Sequence, residues 1–171
     1  MKTSPLSTNG FSRLTLLFGY FLASATAYSG TWPQWRGPDA SGHFEGTGFP
    51  TEWDSKKNVV WKVKIPGRGH SSPVVEGDLV WLTTAYETPA SAEDAKKRLK
   101  VNTGGQPLNL LAKVSLRAVQ INPGTGKILR EIEVFNKEKP QWVHKLNSYS
   151  SSTPCLKDGK LYCHFGAYGS A

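Results

Sequence analysis

Apolar and polar residues fall into short alternating runs, punctuated by turns rich in Gly, Pro and Asn. VVWKVKI (Val59–Ile65) lies over ILREIEV (Ile128–Val134) at an offset of 69 residues, and in both, apolar residues alternate with charged ones toward the C-terminal end. That period of two is what a half-buried strand requires. A second echo, at an offset of 81, lays HSSPVVEGDLVWLTT (His70–Thr84) over SSTPCLKDGKLYCHF (Ser151–Phe165) with Pro73 on Pro154. Each copy reads as Ser or Thr, then Pro, two apolar residues, a Gly turn and a second apolar run. Between them, LRAVQINPGTGKILREIEVF (Leu116–Phe135) reads as strand, turn, strand. Asn122 can accept bonds from its own downstream backbone there, and Gly126 can take positive φ without steric cost. Asp158-Gly159 reads as a two-residue type I′ turn, setting Leu156 opposite Leu161 and Cys155 opposite Tyr162.

Placed in order, the pattern predicts a strand at Val59–Ile65, then four at Ser72–Val75, Leu79–Thr84, Val114–Ile121 and Ile128–Phe135, then two more at Thr153–Leu156 and Leu161–Phe165. Four antiparallel strands per repeat describe a propeller blade. A single twisted four-stranded sheet cannot cover both of its faces and needs neighbours, which accounts for the repetition. The expected fold class is therefore all-β, a β-propeller of four-stranded antiparallel blades. Residues 59–171 would hold its first one to two blades and an N-terminal closing strand, with residues 28–58 as an N-terminal arm. At roughly 40–50 residues per blade and 4–8 blades, a ring exceeds this length, so an N-terminal fragment is expected. Two stretches break the period. Tyr86–Lys113, containing PASAEDAKKRLK, is expected to hold one short helix starting near Pro89, and Asn136–Tyr149 lengthens the passage to the next repeat. Insertions in repeat proteins gather on one face, often the binding face.

Composition adds a compartment. Lys2 and Arg13 precede the apolar LTLLFGYFLA (Leu14–Ala23), and Ala25-Thr26-Ala27 supplies small residues, so a signal peptide over 1–27 with cleavage after Ala27 is expected. The apolar run falls short of the ~20 residues that span a bilayer. The mature chain is thus expected to be periplasmic or secreted, without a membrane span. Losing Lys2 and Arg13 leaves 19 basic against 13 acidic residues, a net charge of +6 in place of +8. The excess gathers partly in KKRLK (Lys96–Lys100), where no aromatic residue is interleaved, so it reads as a solvated helix or loop face and not as a nucleic-acid surface. Cys155 and Cys163 fall on opposite sheet faces by alternation, which disfavours a disulfide within their hairpin.

Four stretches carry a resemblance: WPQWRGPDASG (Trp32–Gly42), GRGHSSPVV (Gly67–Val75), LRAVQINPGTGKIL (Leu116–Leu129) and HKLNSYSSSTP (His144–Pro154). Together they resemble the opening of the PQQ-like β-propeller repeat proteins, more narrowly the secreted ones common in planctomycete-type bacteria. The family repeat reads Asp, two residues, Thr-Gly-Lys, two residues and Trp. Here Asn122 holds the Asp position and Arg130 the Trp position, while Trp61 supplies the Trp of the preceding strand. The resemblance implies pyrroloquinoline quinone (PQQ) with calcium as the one cofactor pair to consider. A quinone alcohol dehydrogenase of that family would carry a vicinal Cys-Cys pair, which this sequence lacks, and no carboxylate here matches the family's calcium ligands.

The most site-like stretch is HKLNSYSSS, where His144, Asn147, Ser148 and Tyr149 crowd donors and acceptors into the loop before a first strand. In a propeller such loops frame one mouth of the central channel, so these four are the candidate ligand or channel-mouth contacts. The plainer reading is that they satisfy turn backbone groups and pack between repeats. His70 and Ser71 read as backbone-bonding residues at a strand start, since neighbours on a strand point to opposite faces. Trp32, Trp35 and Arg36 read either as an aromatic clamp or as a staple for the arm, with the staple preferred. No catalytic residue is assigned. The function expected is an exported binding or scaffold module, with the remaining blades, envelope proteins or a small-molecule or carbohydrate ligand as partners and no nucleic acid. A periplasmic quinoprotein oxidoreductase with cofactor ligands beyond Ala171, and an outer-membrane assembly scaffold, are the alternatives.

Overall fold

The computed structural model describes residues 30–101 and 104–171. The signal peptide expected over residues 1–27 lies outside the described residues. The architecture is all-β and antiparallel. In chain order the elements are β1 (Val74–Glu76), β2 (Leu79–Pro89), α1 (Ala92–Leu99), β3 (Leu108–Asn109), β4 (Leu111–Ile121), β5 (Ile128–Glu138), β6 (Val143–His144), β7 (Cys155–Lys157) and β8 (Lys160–Tyr162). The main sheet has the order β1-β2-β4-β5, with β3-β6 and β7-β8 as two-stranded ladders. These four strands are the expected unit, but β2, β4 and β5 each run farther at one shared end, to Pro89, from Leu111 and to Glu138. The insertions are correspondingly shorter than the alternation alone suggested.

Register settles which residues share a face. Trp81, Thr83 and Ala85 stand opposite Gln120, Ala118 and Leu116. This face supplies Trp81, Ala85, Val114, Leu116 and Ala118 to the core, which is completed by Leu156, Cys163 and Phe165 from the second repeat. The two echoed segments therefore pack against each other. Their contact keeps the repeat offset: the Ser72 amide donates to Thr153 Oγ1 at 3.0 Å, two positions separated by 81 residues. Beside it, Ser150 Oγ donates to Thr83 Oγ1 at 2.8 Å, and Thr83 Oγ1 donates to the Ser152 carbonyl at 3.2 Å.

The opposite face is more polar. It sets Thr84 against Arg117 and Tyr86 against Ser115, and the Arg117 guanidinium lies 4.5 Å from the Tyr86 ring centroid. Arg117 also pairs with Glu131 at 3.8 Å and Glu133 at 3.5 Å. Segment 59–68 crosses this side. Val59–Ile65 was expected as a strand, and here the structure corrects the sequence reading: no ladder forms and Val60 is 91% exposed. Alternation marks a segment fit for pairing, but a strand also needs a partner, and the described residues offer it none. At its C-terminal end the Pro66 carbonyl accepts from Thr84 Oγ1 at 2.8 Å and Arg68 bridges to Ala85 through both backbone groups, and toward its start Trp61 seats it. Its Nε1 donates to the Pro123 carbonyl at 2.5 Å, and its ring lies against Gly126, at φ +69, in the β4–β5 turn.

That turn forms as its residues dictate. Asn122 Oδ1 accepts from the Gly124 and Thr125 amides, both at 3.0 Å, and from Thr125 Oγ1 at 3.1 Å. The β7–β8 turn has φ +51 at Asp158 and +70 at Gly159, the signs a type I′ turn needs. It pairs Cys155 with Tyr162 and Leu156 with Leu161. Both cysteines are free, Cys163 buried and Cys155 half-buried.

Candidate functional site

The two insertions meet at the end of the sheet where β2, β4 and β5 overrun. β3 from the first pairs with β6 from the second, Leu108 opposite His144 and Asn109 opposite Val143. The short helix expected near Pro89 is α1, capped by Ser91, whose side chain accepts from the Asp94 amide. Acidic residues occupy its first turn and Lys96, Lys97 and Arg98 its last, which suits the helix dipole. Arg98 ties the insertions together. Its Nη1 donates to the Leu111 carbonyl at 2.8 Å and its Nη2 to the Pro140 carbonyl at 2.6 Å, while Asp94 pairs with it at 3.3 Å.

One residue beyond Pro140, two phenols reach the Gln141 carbonyl, Tyr149 from 2.7 Å and Tyr168 from 3.4 Å. Burial raises both phenols above the ordinary tyrosine range, so they stay protonated and keep donating. The Pro140-Gln141 carbonyls are thus held from three directions. Between this segment, the loop after β6 and the Gly166–Tyr168 turn lies a cavity of about 240 Å³. Trp142, Phe165 and Tyr168 give it aromatic walls, and Asn147, Ser148 and Ser151 line its polar side.

Three of the four candidate contacts come together here. Asn147, Ser148 and Tyr149 line the cavity, and His144 does not. His144 sits on β6, where its Nδ1 accepts from the Leu146 amide at 3.1 Å and so shapes the following turn. Much of the polar capacity is used locally. Asn147 Oδ1 accepts from the Ser148 amide at 2.8 Å and from Ser151 Oγ at 2.7 Å, and the Ser148 and Ser151 hydroxyls are 3.0 Å apart. The loop thus spends part of its polar capacity on itself, and the cavity lies beside it.

The other singled-out residues lie outside this cavity's lining. Ser71 Oγ accepts from the Thr83 amide at 3.1 Å, and the His70 amide donates to the Ser150 carbonyl at 2.9 Å. Trp32 bridges to Val75 through both of its backbone groups, and the Leu156 amide donates to the Pro33 carbonyl at 2.7 Å. The arm therefore extends the free edge of β1 and reaches the second repeat, as a staple would. Arg36 stacks at 5.4 Å on Trp35 and away from that contact, with Trp35 61% exposed. Arg98, Trp142, Phe165 and Tyr168 were missed from sequence. Trp142 alone offered a signal, as a Trp inside an insertion where no strand period calls for one.

PQQ carries three carboxylates, and the calcium that accompanies it takes oxygen ligands that include carboxylates. The cavity lining holds neither a cationic nor a carboxylate side chain, so it does not fit that pair. Among the described residues no group of three or more His, Cys, Asp and Glu side chains is placed to hold a metal ion. No helix among the described residues is long and apolar enough to cross a membrane. Compared with known proteins, the chain matches no family model, no curated protein and no solved structure.

Proposed function

We propose that the protein is an exported β-propeller that acts as a binding or scaffold module and presents its binding face where the two insertions meet. The observation that carries this reading is the β3–β6 ladder, which joins both insertions at one end of the sheet around a walled, uncharged cavity. Support for the propeller comes from the repeat offset of 81 reappearing as a side-by-side contact between Ser72 and Thr153. Repeats in such arrays contact their immediate neighbours, so two echoed segments packed side by side are what adjacent blades would show. Trp61 and the polar face it borders then await a neighbouring blade, so the remaining blades are the first partner proposed. A leader over residues 1–27, cleaved behind Ala27, belongs to this proposal, and N-terminal sequencing of the exported protein should then start at Tyr28.

Equilibrium dialysis of the protein against PQQ with Ca²⁺ tests the functional reading. A binding module takes up no stoichiometric quinone. Tight one-to-one uptake with dye-linked alcohol oxidation would replace this reading with that of a quinoprotein oxidoreductase.

A further inference from the structure

We infer that the cavity beside the second insertion binds a neutral sugar ring, with Trp142 as its stacking surface; this rests on the reading of that end of the molecule as a binding face. The first ground is the chemistry of the walls. The chain carries a formal +8 charge, yet every residue lining this cavity is uncharged. A lining of indole, phenol, phenyl, amide and hydroxyl groups suits a ligand that presents C–H faces to aromatic rings and hydroxyls to amides. Ionic ligands would be desolvated there without a partner.

The second ground is the contrast between Trp142 and its neighbours. Pro140 and Gln141 are fixed through their carbonyls by Arg98, Tyr149 and Tyr168. Val143 and His144 are fixed by the ladder with β3. Trp142, between these anchors, is 45% exposed. A large aromatic side chain held open on a pinned backbone loses little entropy when a ring settles on it. The third ground is size. At about 240 Å³ the cavity is just under the ~300–1,000 Å³ of sites for drug-sized ligands, which suits one ring of a chain whose neighbours extend into solvent. Trp142 also borders a second hollow lined by Asp94, Lys97, Arg98 and Lys139, where the Arg98 guanidinium is already engaged by Asp94 and the Leu111 and Pro140 carbonyls. The two lysines there are exposed, so with Arg98 engaged the hollow offers an anion no free cation held in place.

The test titrates the protein calorimetrically with cellotetraose, maltotetraose and mannotetraose, with tetragalacturonate and PQQ as ionic comparators. Amide hydrogen exchange locates each ligand. The inference expects one or more of the neutral tetrasaccharides to bind and to protect residues 141–152 and 165–168. Trp142→Ala should weaken that binding about tenfold or more, as loss of a stacking aromatic does, and Trp142→Phe should retain most of it. The exchange footprint on the unaltered protein needs no variant to fold. Binding by none of the three sugars overturns the inference, as does binding indifferent to Trp142→Ala. If an ionic comparator alone protects 141–152, the sugar is wrong and the binding face stands. If sugar-induced protection falls wholly elsewhere, both are wrong.

Discussion

Replacing Gly126 and Trp61 by Ala, singly and together, asks whether segment 59–65 is seated on the main sheet by one aromatic contact. Trp61 is half-buried, so about 100 Å² of a ring that buries ~150–250 Å² when enclosed returns to water, about 2.5 kcal/mol at ~25 cal/mol per Å². Its hydrogen bond to the Pro123 carbonyl, on a half-buried ring, adds about 0.5 kcal/mol, so Trp61→Ala should cost about 3 kcal/mol. Gly126 sits at φ +69, and a Cβ there would lie 2.6 Å from Cε3 and 2.7 Å from Cδ2 of Trp61. Gly126→Ala therefore pays ~1–2 kcal/mol of left-handed strain and also expels the indole, for a total of about 4 to 5 kcal/mol. Once the indole is gone, the added methyl has nothing to strike. The double variant should then be only about 1–2 kcal/mol worse than Trp61→Ala, a coupling of about 3 kcal/mol. Guanidinium unfolding followed by far-UV circular dichroism measures all four proteins without relying on the altered tryptophan. Additivity within ~0.5 kcal/mol, the behaviour of independent sites, would refute the contact and with it the seating of the segment.

Further outcomes follow from single side chains. Arg98→Met removes two hydrogen bonds to carbonyls and an ion pair from a partly exposed group, and should cost about 2 kcal/mol in urea unfolding while speeding amide exchange around β3 and β6. Asn122 makes its three side-chain bonds through Oδ1 alone, so Asn122→Asp should be neutral or stabilising by up to about 1 kcal/mol at pH 7. Asn122→Ala should cost about 1–2 kcal/mol in the same measurement. Burial pushes the Cys163 thiol from 9.0 up to about 11, so the fold holds that proton more tightly than the unfolded chain does. The stability it contributes is whole below pH 9 and is lost as pH rises toward 11, so thermal melts should decline over that window and Cys163→Ala should flatten the decline. At pH 8 a maleimide should label half-buried Cys155 quickly and Cys163 only on unfolding.

How far the sequence reached depends on what each feature needs. The β1–β2 and β7–β8 hairpins and the Asn122–Gly126 turn depend on local chemistry, Gly at positive φ and an Asn that bonds its own backbone, so they were legible residue by residue. The β2–β4–β5 order followed from period-two runs joined by a meander. Strand ends were less legible. Lys113, Lys137 and Glu138 give no apolar signal, yet β4 and β5 include them because the ladder continues on backbone bonds. Val59–Ile65 erred the other way, carrying a strand's pattern without a strand's partner. At the candidate site, Asn147, Ser148 and Tyr149 were found because they cluster in sequence. Arg98 and Tyr168 were not, since they reach the site from residues far along the chain and only folding brings them to the Pro140-Gln141 carbonyls.

The same contrast bears on where new chemistry can arise in such a chain. Between the paired strands of the main sheet, backbone donors and acceptors are matched by register, and the Thr83 hydroxyl accepts from Ser150 and donates to the Ser152 carbonyl. A substitution there meets a partner already engaged. Where β2, β4 and β5 overrun, the ladders stop, and carbonyls that no strand can satisfy must be met by side chains. Arg98, Tyr149 and Tyr168 do so at Pro140 and Gln141. Their cost is entropic and is borne when the protein folds, before any ligand arrives. The pinned loop can then hold an aromatic ring open to solvent without the backbone moving. Repeats of this kind fix a scaffold by periodicity and leave recognition to the segments that break it, which is why Trp142, aperiodic and exposed, is the residue on which a binding role should first be tried.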